Sequence, residues 1–207
     1  MWGGLRPPPW SCCLFVGSLL DPLYACVNLR SRCKVLVICD AVNWVISAST
    51  NSFITNKNIS IVFIFDKIND YLNKKTTLVL NGNDGISGLL GEGICDRVFY
   101  SVSKTERSTD TCVDTVCDLI ACPKCNHKLD YEFYHYNHIG VPKCLNCGFK
   151  MPESRFFASD VDFENSTFVF NCDKGESLVL PYQKGNFFNV FNITGACAIC
   201  RLMGIDI

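Results

Sequence analysis

Cys122-Pro-Lys-Cys125 and Cys144-Leu-Asn-Cys147 place two Cys-x-x-Cys pairs 18 residues apart near the middle of a 207-residue chain. Each pair can form a tight turn that aims two thiolates at one point, and four such thiolates complete a tetrahedron with no open coordination position. The chemistry this predicts is a closed, structural metal site. Zn2+ suits it, and iron held by the same four sulfurs is the rival that ligand type leaves standing. Gly148 follows the second pair and supplies the positive φ such a turn needs. Asn126 stands at the same place after the first pair, and Asn enters the left-handed region more readily than most residues. Free core thiols or two redox dithiols would explain the count but not the paired turns. His127, His135 and His138 lie close by, yet four thiolates already fill the shell, so they are read as hairpin surface or outer contacts.

The other eleven cysteines show no comparable spacing, and none stands with a matched His and acid as a nucleophile would. They are scattered through aliphatic sequence, unlike a small secreted disulfide framework, which predicts a reducing, cytoplasmic setting. The Asn-x-Ser/Thr triplets at Asn58, Asn165 and Asn192 are then not glycosylation sites. A net charge of −1 and 48% hydrophobic residues describe a globular chain with no general affinity for nucleic acid or an anionic membrane. From Leu119 to Glu153 four lysines meet three acids, too balanced for phosphate neutralisation. Tyr131, Phe133, Tyr134 and Tyr136 fall on both faces of an expected strand and read as packing, not as a base-stacking platform.

Around the cysteines the pattern alternates between strand and helix. KVLVIC (34–39) reads as a buried strand, and Ile61, Phe65, Ile68 and Leu72 mark an amphipathic helix. TTLVLN (76–81) is a strand, GNDG (82–85) a turn, ISGLLG a helical turn and RVFYSV (97–102) another strand. This rhythm predicts a parallel sheet with helices on its faces. Beyond the cysteines, STFVFN (166–171) and SLVLP (177–181) form a hairpin about CDKGE. FFNVFNITGACAICRLMG (187–204) is a helix with Phe188, Phe191, Gly195, Ile199 and Leu202 on one stripe, stopping at Gly204. Residues 1–33, with three successive prolines and an apolar run of only ten residues, read as an irregular or non-homologous leader, with no membrane span.

CPKCNHKLDYEFYHYNHIGVPKCLNCGFKMPE, with TTLVLNGND before it and LPYQKGNFFNVFNITGACAICRLMGI after it, resembles the MurT family, the Mur-ligase-like subunits of lipid II isoglutaminyl synthase. The resemblance runs from about Val35 to Ile207. It implies an α/β Mur-ligase central-domain sheet over 34–207 carrying a zinc-ribbon insertion over 120–153. It also implies ATP-dependent amidation of the D-glutamate α-carboxylate in the peptidoglycan stem peptide of lipid II, with Mg2+ and with ammonia from a GatD-like glutaminase. Asn51, in Thr50-Asn51-x-Phe53, would stand near the nucleotide phosphates, and Asn81 and Asp84 would match the family's turn after the strand. Asn189 and Asn192 would match a pair at the adenine, where amides can both donate to and accept from a purine edge.

The chain also departs from that pattern. No Gly-Lys-Thr/Ser phosphate loop occurs in it, Asp40 is the one acid left in ICDA, and ITNKNIS replaces a charged segment. The family also continues into a C-terminal domain beyond the position matched by Ile207. Phosphoryl transfer depends on positioning and electrostatics, so the expectation is an incomplete form, unable to catalyse alone, to which no catalytic residue is assigned. The alternative is a non-catalytic zinc-ribbon module that binds nucleic acid or protein.

Overall fold

The computed structural model describes residues 35–38, 72, 74, 76–113, 119–137, 139–172 and 175–207. The leader, the Thr50–Phe53 stretch with Asn51, Asp40 and nearly all of the helix expected over Ile61–Leu72 lie outside them.

Continuous apolar runs build the parallel part of a six-stranded sheet. β1 (Val35–Ile38) pairs with β2 (Thr77–Asn81), β2 with β3 (Asp96–Val102), and β3 with β6 (Phe156–Asp162), all parallel. β4 (Asp130–Tyr136) and β5 (Ile139–Lys143) form a separate antiparallel pair. β7 (Thr167–Cys172) and β8 (Ser177–Pro181) then continue the main sheet antiparallel to β6, giving the order β1-β2-β3-β6-β7-β8. The parallel part expected before the cysteines and the hairpin expected after them thus join in one mixed sheet. A four-residue link between β7 and β8 can only return the chain alongside itself.

β6 escapes the sequence reading. Phe156, Phe157 and Ala158 alternate buried, exposed, buried, but Asp160 adopts φ +50° and the register slips between Ser159 and Asp162. The acids and the bulge break the period-2 pattern that identifies a strand.

Alternation within β2 and β3 sends side chains to two faces. On one, Val79, Tyr100, Val102, Phe156, Phe168 and Phe170 pack under the helix α1 (Phe188–Leu202). Fully burying each aromatic or aliphatic side chain here contributes about 1.5–3 kcal/mol. The buried side of α1 is broader than the predicted stripe: Val190, Thr194, Cys197 and Ala198 join Phe191, Gly195 and Ile199, while Phe188 stays 41% exposed. Gly195 is needed for close packing, since a Cβ there would lie 3.0 Å from the Tyr100 ring. The helix ends as expected: Ile205 N–H donates to Cys200 O and Gly204 N–H to Arg201 O, the two bonds of a Schellman cap. On the opposite face Leu78, Leu80, Leu90 and Phe99 form a second cluster.

Residues 103–155 lead from the C-terminal end of β3 to the start of the parallel neighbour β6. Such a connection must cross the sheet from end to end, usually as a helix. Here the cysteine-rich β4–β5 unit lies within that crossover. Its small core of Cys122, Leu129, Cys144 and Phe149 meets the second face of the sheet through Met151, which packs against both clusters.

Candidate metal centre

The two Cys-x-x-Cys turns are built alike, each position of the first recurring 22 residues later (122 to 144, 125 to 147, 126 to 148). Cys122 N–H donates to His127 O at 2.6 Å, and Cys144 N–H donates to Phe149 O at 2.8 Å. Asn126 N–H returns to Cys122 O, and Gly148 N–H to Cys144 O. Asn126 has φ +59° and Gly148 φ +72°, as the spacing predicts. Bridges from Ala121 to Lys128 and from Lys143 to Lys150 close the two turns.

The four sulfurs converge. All lie within 4.8 Å of one another, with Cys122 to Cys147 and Cys125 to Cys144 at 3.6 Å. Thiolates on a tetrahedron with metal–sulfur bonds of about 2.3 Å are separated by about 3.8 Å, so the thiols present fit such an ion in number, type and size. Among the described residues no other set of His, Cys, Asp or Glu side chains gathers in this way. His127 is exposed on its turn and His135 stands elsewhere, so neither belongs to the cluster.

The cluster favours charge on one sulfur and opposes it on another. Asn146 Nδ2 donates to Cys125 Sγ at 3.5 Å, and with the His127 amide it holds that thiol down at about 6. The Phe149 amide favours the Cys147 thiolate, but burial and the other three thiols outweigh it and push Cys147 up to about 12. Four sulfurs this close cannot all ionise unless a cation shares the site. Lys124 and Lys143 do not create a basic face, because Lys124 meets Glu92 at 3.2 Å and Lys143 meets Glu132 at 4.0 Å.

From this cluster the β4–β5 hairpin reaches the C-terminal ends of β2 and β3. Gly140 N–H donates to Asn83 O at 2.8 Å, Asp84 bridges Ile139, and Thr109 and Tyr134 exchange backbone bonds. Asn83 Oδ1 accepts from Val102 N–H at 2.7 Å, locking the turn after β2 to the end of β3. Asp84 braces the approach to the following helical turn, accepting from Ile86 N–H and from the Ser87 hydroxyl. Asn81 Oδ1 likewise accepts from Asn83 N–H. These buried groups hold the turn in shape.

The hairpin is not regular. Register shifts between Tyr131 and Tyr136 bring Tyr131 and Tyr134, which would face opposite sides of an even strand, into a stack at 4.2 Å. Phe133 is buried, and Tyr136 packs on Phe188 at 4.6 Å. The aromatic run is thus used for packing. His135, read from the sequence as hairpin surface or an outer contact of the cluster, is instead held against the main sheet: its Nε2 lies 3.0 Å from Val102 O and its Nδ1 3.1 Å from Ser108 Oγ. Asn189 and Asn192 occupy the first turns of α1, half-buried and one turn apart, beside the end of this hairpin. Asn189 Nδ2 reaches Gln183 Oε1 at 3.4 Å.

No family model matches the chain. A Staphylococcus aureus protein named lipid II isoglutaminyl synthase (glutamine-hydrolyzing) subunit MurT is 25% identical over 134 residues, covering 65% of this chain and 29% of its own. Its Streptococcus pneumoniae counterpart is 33% identical over 88 residues, covering 42% of this chain and 19% of its own. The solved structure of a pseudomurein peptide ligase type C from Methanothermus fervidus matches with a TM-score of 0.57 at 28% identity, over 72% of this chain and 29% of that one. The chain is MurT-like. The MurT-like chain spans less than a third of the length of these relatives. Among its described residues, no helix is long and apolar enough to cross a membrane.

Proposed function

We propose that this MurT-like chain is a cytoplasmic Mur-ligase-type central domain in which Cys122, Cys125, Cys144 and Cys147 hold a structural Zn2+. The observation that carries this reading is the closed set of four sulfurs within the crossover of a Mur-ligase-like sheet. In a fourfold thiolate shell no position remains for substrate, so the ion would fasten the ribbon and take no part in a reaction.

The wider activity follows from the similarity to MurT: amidation of the D-glutamate α-carboxylate of lipid II with ammonia from a GatD-like glutaminase. ATP would supply acyl-phosphate activation and Mg2+ would offset phosphate charge. The described residues contribute a surface for the base, with Asn189 and Asn192 presenting amides from α1. Asn51 is assigned to the phosphates by the same similarity. The sequence lacks Gly-Lys-Thr/Ser, so the chain alone is assigned binding and scaffolding, and no residue of it is assigned catalysis.

Titration of zinc-loaded protein with Mg-ATP tests this. Binding is expected to be weaker than micromolar, with NMR shifts confined to the neighbourhood of α1 and abolished in Asn189→Ala/Asn192→Ala. Micromolar affinity, or turnover of lipid II by the chain with a GatD-like glutaminase, would overturn the assignment of incompleteness. Shifts that avoid α1 would overturn the adenine reading.

A further inference from the structure

We propose that His135 is a positioning residue that couples the four-cysteine ribbon to the first two turns of α1. The inference rests on the reading above only for its consequence, namely that those turns carry Asn189 and Asn192.

β4 leaves the first Cys-x-x-Cys turn through Leu129, buried in the ribbon core, and ends seven residues later against the main sheet. There His135 is held at both ring nitrogens. Val102 O can only accept, so Nε2 carries the proton and donates to it, and Nδ1 accepts from the Ser108 hydroxyl. Ser108 Oγ in turn accepts from Thr105 N–H at 2.9 Å. The ring orientation is thereby fixed at the C-terminal end of β3.

The same ring packs against the start of α1. His135 lies 5.6 Å from the Phe187 ring and 5.4 Å from Phe191, and it meets Phe133 of its own strand edge to face at 5.0 Å. Tyr136 adds contacts to Phe188 and Phe191 at 4.6 and 5.9 Å. The first turns of α1 have no side-chain cap of their own, since Phe187 occupies the N-cap position. Their placement therefore draws on rings supplied by a strand whose other end is set by the cysteine cluster.

Hydrogen exchange on the full chain, zinc-loaded and after chelator stripping, tests the coupling. Stripping should accelerate exchange over residues 187–194 about tenfold while β7 and β8 keep their protection. In His135→Ala that segment should already exchange fast with zinc bound and change no further on stripping. His135→Gln, whose amide can still donate to Val102 O, should restore part of the metal-linked protection. An equal metal-linked change in wild type and His135→Ala, or no change in wild type, would overturn the proposal. Should stripping also expose β7 and β8, the zinc-loaded proteins decide: faster exchange confined to 187–194 in His135→Ala supports the coupling, and unchanged exchange there overturns it. A flat Mg-ATP response beside intact metal-linked exchange would remove the nucleotide reading and leave the coupling standing.

Discussion

Cys144 is 3% exposed and sits at the start of the second turn, its amide and carbonyl both engaged in that turn. Cys144→Ser leaves three sulfurs and a buried hydroxyl that is a poor soft-metal ligand. Zinc per chain, measured by elemental analysis after gel filtration, should fall from about one to well below one. Retention of stoichiometric zinc would show that the ion sits elsewhere. His135 gives a separate prediction. Burial pulls its imidazole down to about 4, against the Val102 carbonyl, which favours the charged form. The unfolded chain would protonate this residue near pH 6.5, so between about 6.5 and 4 the unfolded state binds the extra proton. Stability should therefore be unaffected above that window, fall by up to about 3 kcal/mol across it, and lose nothing further from this group below it. Acid also protonates thiolates and so weakens any thiolate–metal bond; the quantity to measure is therefore the difference between wild type and His135→Gln in denaturant melts at each pH. A constant difference from pH 7 to 4 would refute the assignment.

At the level of elements, the β4–β5 hairpin depends on close approach. A Cβ on Gly140 would stand 2.1 Å from Phe133 O across the hairpin. Backbone cannot swing aside as a side chain can, so Gly140→Ala should part the two strands and weaken the Gly140–Asn83 bond to the sheet. A loss of about 2 kcal/mol or more in denaturant melts is expected, with the ribbon still binding zinc because the cysteine turns lie at the other end. Wild-type stability would count against the observed register. The same contrast of distances explains what the amino-acid order reveals. Each Cys-x-x-Cys turn closes within five residues, so the roles of Asn126 and Gly148 are legible from spacing alone. β2, β3, β7, β8 and the Gly204 stop follow from local patterns in the same way. The docking of His135 on Val102 and the pairing of β3 with β6 join residues 33 and more than 50 positions apart, and no local pattern encodes them. β6 was hidden by its own bulge at Asp160.

For the molecule as a whole, the parallel half of the sheet and the antiparallel half meet at β6, and the chain reaches that strand only after passing through the cysteine-rich unit. Much of what fixes β6 beside β3 is therefore the path that precedes it. The fold is shared in part with a pseudomurein peptide ligase, and the sequence in part with MurT. An engineer trimming the protein to a minimal scaffold would be tempted to replace 103–155 with a short turn. Such a graft would bring the chain back antiparallel to β3, turn the last three strands end for end, and strip α1 of the surface beneath it. A dozen or more residues able to traverse the sheet would have to stand in for the excised piece.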